Sequence, residues 1–293
     1  MNNYNKINWK KGLDITPEIF IESDNYHIEE RCFLGRFFAS RLWGILPKGK
    51  FNINFSINSD ENILNIDCLE CSAITHDGYI INVGGGITIN KEISLIDAVN
   101  AEYYVVLTVD PYSIKIENST KTKVIAEYDI VLKNTFDAIE KGIPILKLQK
   151  NSFQEWAVDD IYIPPSIAIN SVDKLRNQYI EIKNKANDII EILPEDYSNY
   201  MQAMLFLLEL DNYNLEESPQ ELALLMKKFS WILKQFLKTE KKISDMPSVE
   251  AFTKDFYNHI EIGNSLKSGL MCLLEIEENL NKKIEIIDDV ITV

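Results

Sequence analysis

Hydrophobic and polar residues alternate along the first half of the chain and recur at helical spacing along the second half. Strict alternation from Phe51 to Asn58 predicts a strand with one buried and one exposed face. Apolar, β-branched segments predict further strands at 63–74, 79–83, 87–90, 103–109, 124–132 and 143–148. Because no helical pattern separates these strands, they indicate an antiparallel sandwich or barrel rather than a parallel sheet, and we predict the sandwich.

A helix precedes the strands, and its start is encoded locally. Thr16 is a capping residue, Pro17 suits the first helical position, and Glu18 favours the positive end of the helix dipole. The spacing of the apolar residues that follow predicts a helix from Pro17 to Phe38.

Two dipeptides punctuate the predicted strands. Asp77-Gly78 is a strong signal for a tight hairpin. Asp110-Pro111 is expected to stop the strand that precedes it, because proline cannot donate to a strand ladder.

The strongest helical pattern begins after Asp159. Apolar residues recur in steps of three and four over about three heptads, the lower limit for a coiled coil. These positions are Val172, Leu175, Tyr179, Ile182, Ala186, Ile189 and Leu193. We predict that this seam is an oligomer interface. The alternative, a helix that packs inside its own chain's bundle, fits the pattern equally well.

Four further helices are predicted beyond the seam. They cover 197–210, a segment opened by the capping box of Ser218 and Glu221, a segment from Pro247 to Gly263, and 266–280. In the third of these helices, the residues expected to face inward are Phe252, Phe256 and Ile260. Short connections between these helices favour an up-down bundle.

These patterns predict an α+β fold with three parts. An antiparallel β-sandwich with an N-terminal helix spans 1–165, an all-α helical bundle spans 166–283, and a tail spans 284–293. The tail is rich in β-branched residues, which favour an extended conformation, so we expect it to pair with a sheet edge.

Composition places the chain among soluble proteins. It has 293 residues, 46% of them hydrophobic, which suffices for two domains with real cores. The formal net charge of −15 and the absence of a Lys/Arg cluster argue against nucleic-acid binding. No apolar run is long enough to insert into a membrane, and no signal sequence is recognisable, so a cytoplasmic location is expected.

No constellation of residues argues for catalysis. Cys68 and Cys71 have the spacing of a metal or redox motif, but residues three apart on a strand are expected to face opposite ways. His27, His76 and His259 are too widely spaced for a zinc signature. We predict that the chain is not an enzyme and has no catalytic residue, metal or cofactor.

The opening segment carries a family resemblance. Trp9, Gly12, Pro17 and Phe20 match the Trp-x-x-Gly-x-x-Leu-x-Pro-Gln-x-Phe opening of the TssK family of type VI secretion baseplate proteins. The match departs from the family pattern at two positions, since Ile15 and Glu18 replace its Leu and Gln.

Later landmarks follow in the family's order. Trp43-Gly44 resembles its Trp-Gly pair, and the Asp-Gly turn after His76 resembles the end of one of its strands. Ile163-Pro164-Pro165 resembles the Ile-Pro-Pro before its helical neck, and the run from Ser218 to Leu222 resembles a neck helix start.

The resemblance implies a structural role in a contractile injection machine. It implies a homotrimer with a β "shoulder" and a helical "neck", located in the cytoplasm at the inner face of the cell envelope. The expected partners are TssF- and TssG-like wedge proteins and a membrane-complex or substitute adaptor protein. The residues implied in partner binding are Trp9, Gly12, Pro17, Phe20 and Trp43.

Family members usually continue into a C-terminal head, so a chain that stops at Val293 is expected to be a short form without it. An alternative interpretation is a phage-tail receptor-binding or adaptor protein with a glycan- or protein-binding β domain.

Overall fold

The computed structural model describes residues 6–39, 43–48, 50–116, 124–135, 141–193, 200–239 and 245–291. The chain divides into two compact units, Met1–Asp160 and Ile161–Val293. The segment from Ile161 to Pro165 therefore groups with the helical unit, whereas the predicted β domain extended to Pro165.

Among its described residues, the first unit has one helix and two antiparallel sheets. Its elements are α1 (Pro17–Ala39), β1 (Gly44–Ile45), β2 (Phe51–Asn58), β3 (Ile63–Ile74), β4 (Ile80–Val83), β5 (Ile89–Ser94), β6 (Glu102–Ile116), β7 (Val124–Lys133), β8 (Gly142–Lys150) and β9 (Trp156–Val158). Strands β1 to β5 form one sheet, and the other has the order β7-β6-β8-β9. The predicted α+β class is confirmed.

Strand β3 is the centre of the first sheet. One of its sides pairs with β1 and β2, and the other side pairs with β4 and β5. A β-bulge interrupts its pairing with β2: Asn52 lies opposite Glu70 and Ile53 opposite Cys68, so Leu69 is an extra residue. Both halves of β3 keep their apolar side chains in the core as a result, and these fully buried residues are Leu64, Ile66, Cys68, Cys71 and Ala73.

The second sheet contains a bulge that corrects the predicted end of β6. Asp110-Pro111 does not stop the strand; the register shifts between Asp110 and Ile114, and pairing with β7 then resumes. Proline is tolerated there because a bulge residue needs no ladder hydrogen bond. The bulge includes Tyr112, whose hydroxyl donates to Glu29 Oε1 of α1 at 2.5 Å.

Helix α1 is held against the predicted hairpin turn by two glycines. Gly78 sits in the left-handed region at φ 84°, as the turn requires. A Cβ on Gly35 of α1 would lie 2.5 Å from the Gly78 carbonyl oxygen, so the two backbones touch. Arg36 Nε donates to the Asp77 carbonyl at 3.0 Å and closes the same contact.

The second unit is helical. Its elements are a short 3-10 helix (Ile169–Ser171), α2 (Asp173–Glu191), α3 (Tyr200–Asp211), α4 (Pro219–Thr239), α5 (Pro247–Lys254) and α6 (Ile262–Ile291). The predicted cap at Ser218 is present, since its carbonyl and hydroxyl oxygens accept from the Glu221 amide at 3.0 and 3.4 Å.

Aromatic and polar contacts join these helices. Phe206 of α3 stacks on Phe229 of α4 with ring centroids 4.0 Å apart. The buried Tyr179 hydroxyl of α2 donates to the Leu210 carbonyl at the end of α3, at 2.7 Å. On α6, Gly263 lies so close to the Ile161 carbonyl that a side chain there would clash.

Two predictions about the C-terminal region are wrong. The helix from Pro247 ends at Lys254 rather than at Gly263, which leaves Phe256 97% exposed instead of facing inward. The tail is not extended, because α6 continues to Ile291. β-branching lowers helix propensity by only a few tenths of a kcal/mol per residue, whereas each residue added to an existing helix gains a backbone hydrogen bond.

We predict that Gly35→Ala destabilises the β unit. On an open helix face this change would stabilise by about 1 kcal/mol, but here the added methyl group meets the Gly78 backbone. The expected loss in the free energy of unfolding is about 1–3 kcal/mol, measured by urea denaturation. Glu22→Ala, at an exposed position of the same helix, is the matched control. A gain in stability for Gly35→Ala would contradict the glycine contact.

Candidate functional site

Four of the five residues implied in partner binding lie together at the start of α1. Pro17 is the first residue of that helix, and Gly12 adopts φ 88° in the turn that the Leu13 amide closes on the Lys10 carbonyl. The rings of Trp9 and Phe20 lie 6.2 Å apart and are 51% and 54% exposed. We call this exposed pair the N-terminal patch.

Trp43, the fifth of these residues, does not belong to the N-terminal patch. It is buried and packs edge-on against His76, with ring centroids 5.7 Å apart. Its side chain therefore fixes the start of β1 beside the hairpin turn and presents no surface to a partner.

The outer face of α1 carries a further exposed apolar group, which the helical spacing alone does not identify as surface. It lies in the last turns of the helix and consists of Phe33, Leu34 and Phe37. Apolar residues occur on more than one side of α1, so periodicity alone did not reveal which side packs. The side toward the sheets is identified by buried Cys32, by the Gly35 contact and by Glu29, which accepts from Tyr112.

The predicted oligomer seam is occupied within the chain. All seven positions are buried in the helical unit: Val172, Leu175, Tyr179, Ile182, Ala186, Ile189 and Leu193. Helix α2 packs against α3 and α6, and Lys185 forms an ion pair with Glu277 of α6 at 3.0 Å. The alternative of intrachain packing therefore accounts for the pattern. A subunit contact needs other residues, and self-association itself stays a prediction.

Helix α3 supplies an exposed apolar stripe in the same unit. Its buried side consists of Ala203, Phe206 and Leu210. The opposite side is exposed and consists of Met201, Met204, Leu205 and Leu208. These four positions recur at i, i+3, i+4 and i+7, so they share one face, which we call the α3 face. The sequence of α3 already indicates a second packing surface, because a helix with apolar residues on several sides packs in more than one direction.

The cysteines occupy core positions. The expectation that Cys68 and Cys71 face opposite ways is wrong. Because Leu69 is an extra residue between them, both side chains point to the same buried face. Their thiols are hydrogen-bonded there. That contact and burial raise the pKa of Cys71 well above its usual range. Within the described ranges, no group of three or more His, Cys, Asp or Glu residues is placed to hold a metal ion.

A polar groove of about 910 Å³ opens on β6 and β7. Its charged lining includes Lys91 and Asp129, which form an ion pair at 2.8 Å, and both side chains are well exposed to solvent. Ion pairs between exposed side chains are screened by solvent and contribute little to stability. We assign no function to this groove.

No family model matches the sequence, and no curated protein matches it. Solved structures do match. A crystal structure of TssK superposes with a TM-score of 0.61 at 14% identity, over 94% of this chain and 69% of that one. The chain has the TssK fold. A TssK from the type VI secretion system of EAEC, bound to a nanobody, gives a TM-score of 0.59 at 12% identity, over 88% of this chain and 99% of that one.

The fold also occurs in solved assemblies. A chain of the TssK-TssF-TssG baseplate subcomplex of the type VI secretion system, solved by cryo-electron microscopy, matches with a TM-score of 0.59 at 14% identity. The match covers 94% of this chain and 100% of that one.

Among the described residues, no helix combines the length and apolarity needed to cross a bilayer.

We predict that the Cys272 thiol makes stability depend on alkaline pH. Burial raises its pKa from 9.0 to about 11. The folded state therefore keeps the proton that the unfolded state releases. The stabilisation is complete below about pH 9 and is lost as the pH rises through about 11.

Urea unfolding of the wild type and Cys272→Ala, at about pH 8 and about pH 11, isolates this effect because other groups cancel in the difference. The wild type should lose about 2–3 kcal/mol more than the variant. Equal losses in the two proteins would show that burial does not raise the pKa of the Cys272 thiol.

Proposed function

We propose that this chain is a structural component of a type VI secretion baseplate. The observation that carries the proposal is the TssK fold over 94% of the chain. The role is one of assembly rather than catalysis. Two features support this: the matching fold is that of a baseplate protein, and each unit presents exposed apolar side chains on a helix, in α1 and in α3.

The wedge proteins are the partners that we assign to the N-terminal patch. TssF- and TssG-like proteins are proposed because a matched TssK chain belongs to a TssK-TssF-TssG subcomplex. Trp9 and Phe20 are suited to such a contact because large aromatic side chains dominate interface energies when a partner desolvates them. The proposed location is the baseplate at the inner face of the cell envelope, where a membrane-complex or adaptor protein would complete the assembly.

A homotrimer is the assembly that we propose for the chain itself, formed through the α3 face. Four exposed apolar side chains on one stripe lower the solubility of a monomer, and an oligomer contact would remove them from water. Two are methionines, whose flexible side chains adapt to the repeated contact around an axis. The trimer number comes from the family resemblance and not from the stripe.

The first test concerns the wedge proteins. Phe20→Glu places a charge in the proposed interface, and burying an unpaired charge costs several kcal/mol. Co-expression with the TssF- and TssG-like proteins of the same bacterium should then recover at least about tenfold less wedge protein.

The matched control is Phe153→Glu, at a position that is 82% exposed in the same unit. It should co-purify wedge proteins as the wild type does. Undiminished recovery with Phe20→Glu would remove the patch from the interface. Recovery of phage-tail proteins in place of wedge proteins would support the phage alternative.

The second test concerns self-association. Leu205→Glu combined with Leu208→Glu should convert the oligomer to a monomer in light scattering, because both carboxylates would be buried together in the contact. Met271→Glu is the control, since Met271 is exposed to a similar degree on α6. A wild-type protein that stays monomeric at high concentration would refute the trimer.

A further inference from the structure

The free edge of the first sheet is long and unprotected. Strand β2 spans eight residues, Phe51–Asn58, and pairs with β3 on one side. Within the described part of the chain, no strand pairs with its other side. A row of backbone donors and acceptors is therefore available for pairing, and we call it the β2 edge.

Natural edge strands usually block such pairing with charges, proline, bulges or shortness. The sequence of β2 is Phe-Asn-Ile-Asn-Phe-Ser-Ile-Asn, without a charge or a proline. The other sheet edges differ: β5 carries Lys91 and Glu92, β7 carries Glu127 and Asp129, and β1, β4 and β9 are short, with two, four and three residues. The β2 edge is the longest of these that carries no charge and no proline.

One face of β2 continues the hydrophobic core outward and leaves it partly uncovered. Ile53, Phe55 and Ile57 pair with the fully buried residues Cys68, Ile66 and Leu64 of β3. Their own side chains stand at the rim of that core, and Phe55 is 46% exposed. An added strand with apolar residues at alternate positions would cover them and extend the core by one row.

The opposite face favours basic residues on an incoming strand. Its side chains in β2 are Asn52, Asn54, Ser56 and Asn58, and the cross-strand neighbours of the first two are Glu70 and Asp67. Asp60 and Glu61 in the following turn are also exposed. Lys50 pairs with Glu70 at 2.8 Å, which leaves the local balance acidic. Cross-strand pairs of opposite charge stabilise a sheet, and like charges destabilise it.

We propose that the β2 edge accepts an extended segment of a partner protein by β-strand addition. The segment alternates apolar residues, which pack beside Ile53, Phe55 and Ile57, with Lys, Arg or Thr residues on the other face. Backbone hydrogen bonds supply affinity, and the alternation supplies register and specificity. The identity of the partner rests on the proposed function, because the segment would belong to another baseplate protein. The docking mode does not.

The experiment uses the full chain and a synthetic probe, the acetylated and amidated peptide Thr-Val-Lys-Val-Thr-Val-Lys-Val. Binding is followed by calorimetry, and hydrogen exchange is followed at residues 51–58. Two twin peptides carry N-methyl groups on alternate amides, one twin along each edge, so each keeps every side chain but loses the donors of one edge. Phe55→Lys introduces the inward lysine that protected edges use, and Phe153→Lys is the matched control.

The expected result is saturable binding that slows exchange of the β2 amides by about tenfold or more. Only one edge of the peptide pairs with β2. The twin that is methylated on that edge should lose binding, and the other twin should keep it. Phe55→Lys should weaken the affinity by about tenfold or more, and Phe153→Lys should leave it unchanged.

Three outcomes would overturn the proposal: no saturable binding, equal binding of both methylated twins, or unchanged exchange of β2 in the complex. Slow exchange of β2 without peptide, in a concentration-dependent dimer, would show that a second copy occupies the edge instead. The methylated twins test the wild-type chain, so a misfolded Phe55→Lys variant does not affect the decision. Failure of the wedge co-purification would count against the proposed function and leave this result intact.

Discussion

The β unit depends on one extra residue in its central strand. Strand β3 pairs with four other strands, and the bulge at Leu69 lets both of its halves direct apolar side chains into the same core. Without that extra residue the alternation would bring one half's apolar side chains to the outer face, because side chains alternate with period two. The C-terminal half would then turn polar side chains toward the core beside β4, and β4 follows the turn in which Gly78 receives Gly35 of α1. The placement of α1 is therefore linked to the register of β3.

Local signals in the sequence predicted most of the elements and few of their irregularities. Alternation, the Asp77-Gly78 turn and the caps at Thr16 and Ser218 depend on neighbouring residues, so one sequence suffices to detect them. A bulge depends on how a strand fits its partner, and nothing near Leu69 marks it. Pro111 shows the same limit from the other side: proline stops a regular strand, but the bulge in β6 accommodates it.

The candidate surfaces were harder to predict than the fold, for a physical reason. A heptad seam such as the one through Ile182 needs a partner, and an intrachain helix satisfies it as fully as a second subunit does. The seam residues are buried within the chain, where α2 packs against α3 and α6. In α3, apolar residues on all sides implied two packing partners, and the three-dimensional structure shows that Leu205 and Leu208 lie on the exposed side. Trp9 and Phe20 were found because a family resemblance, rather than periodicity, singled them out.

Charge constrains how these surfaces are used. A net charge of −15 keeps acidic chains apart at distances near the Debye length, about 8–10 Å, while apolar stripes attract only at contact. Association between copies therefore requires close shape matching, and this is the contact that we propose for the regular helical stripe of the α3 face. The β2 edge makes a different demand, since any extended chain can pair with an unprotected edge. Acidic neighbours such as Asp60, Glu61 and Asp67 disfavour acidic segments and favour basic ones. Repulsion thus supplies the selectivity that backbone pairing lacks.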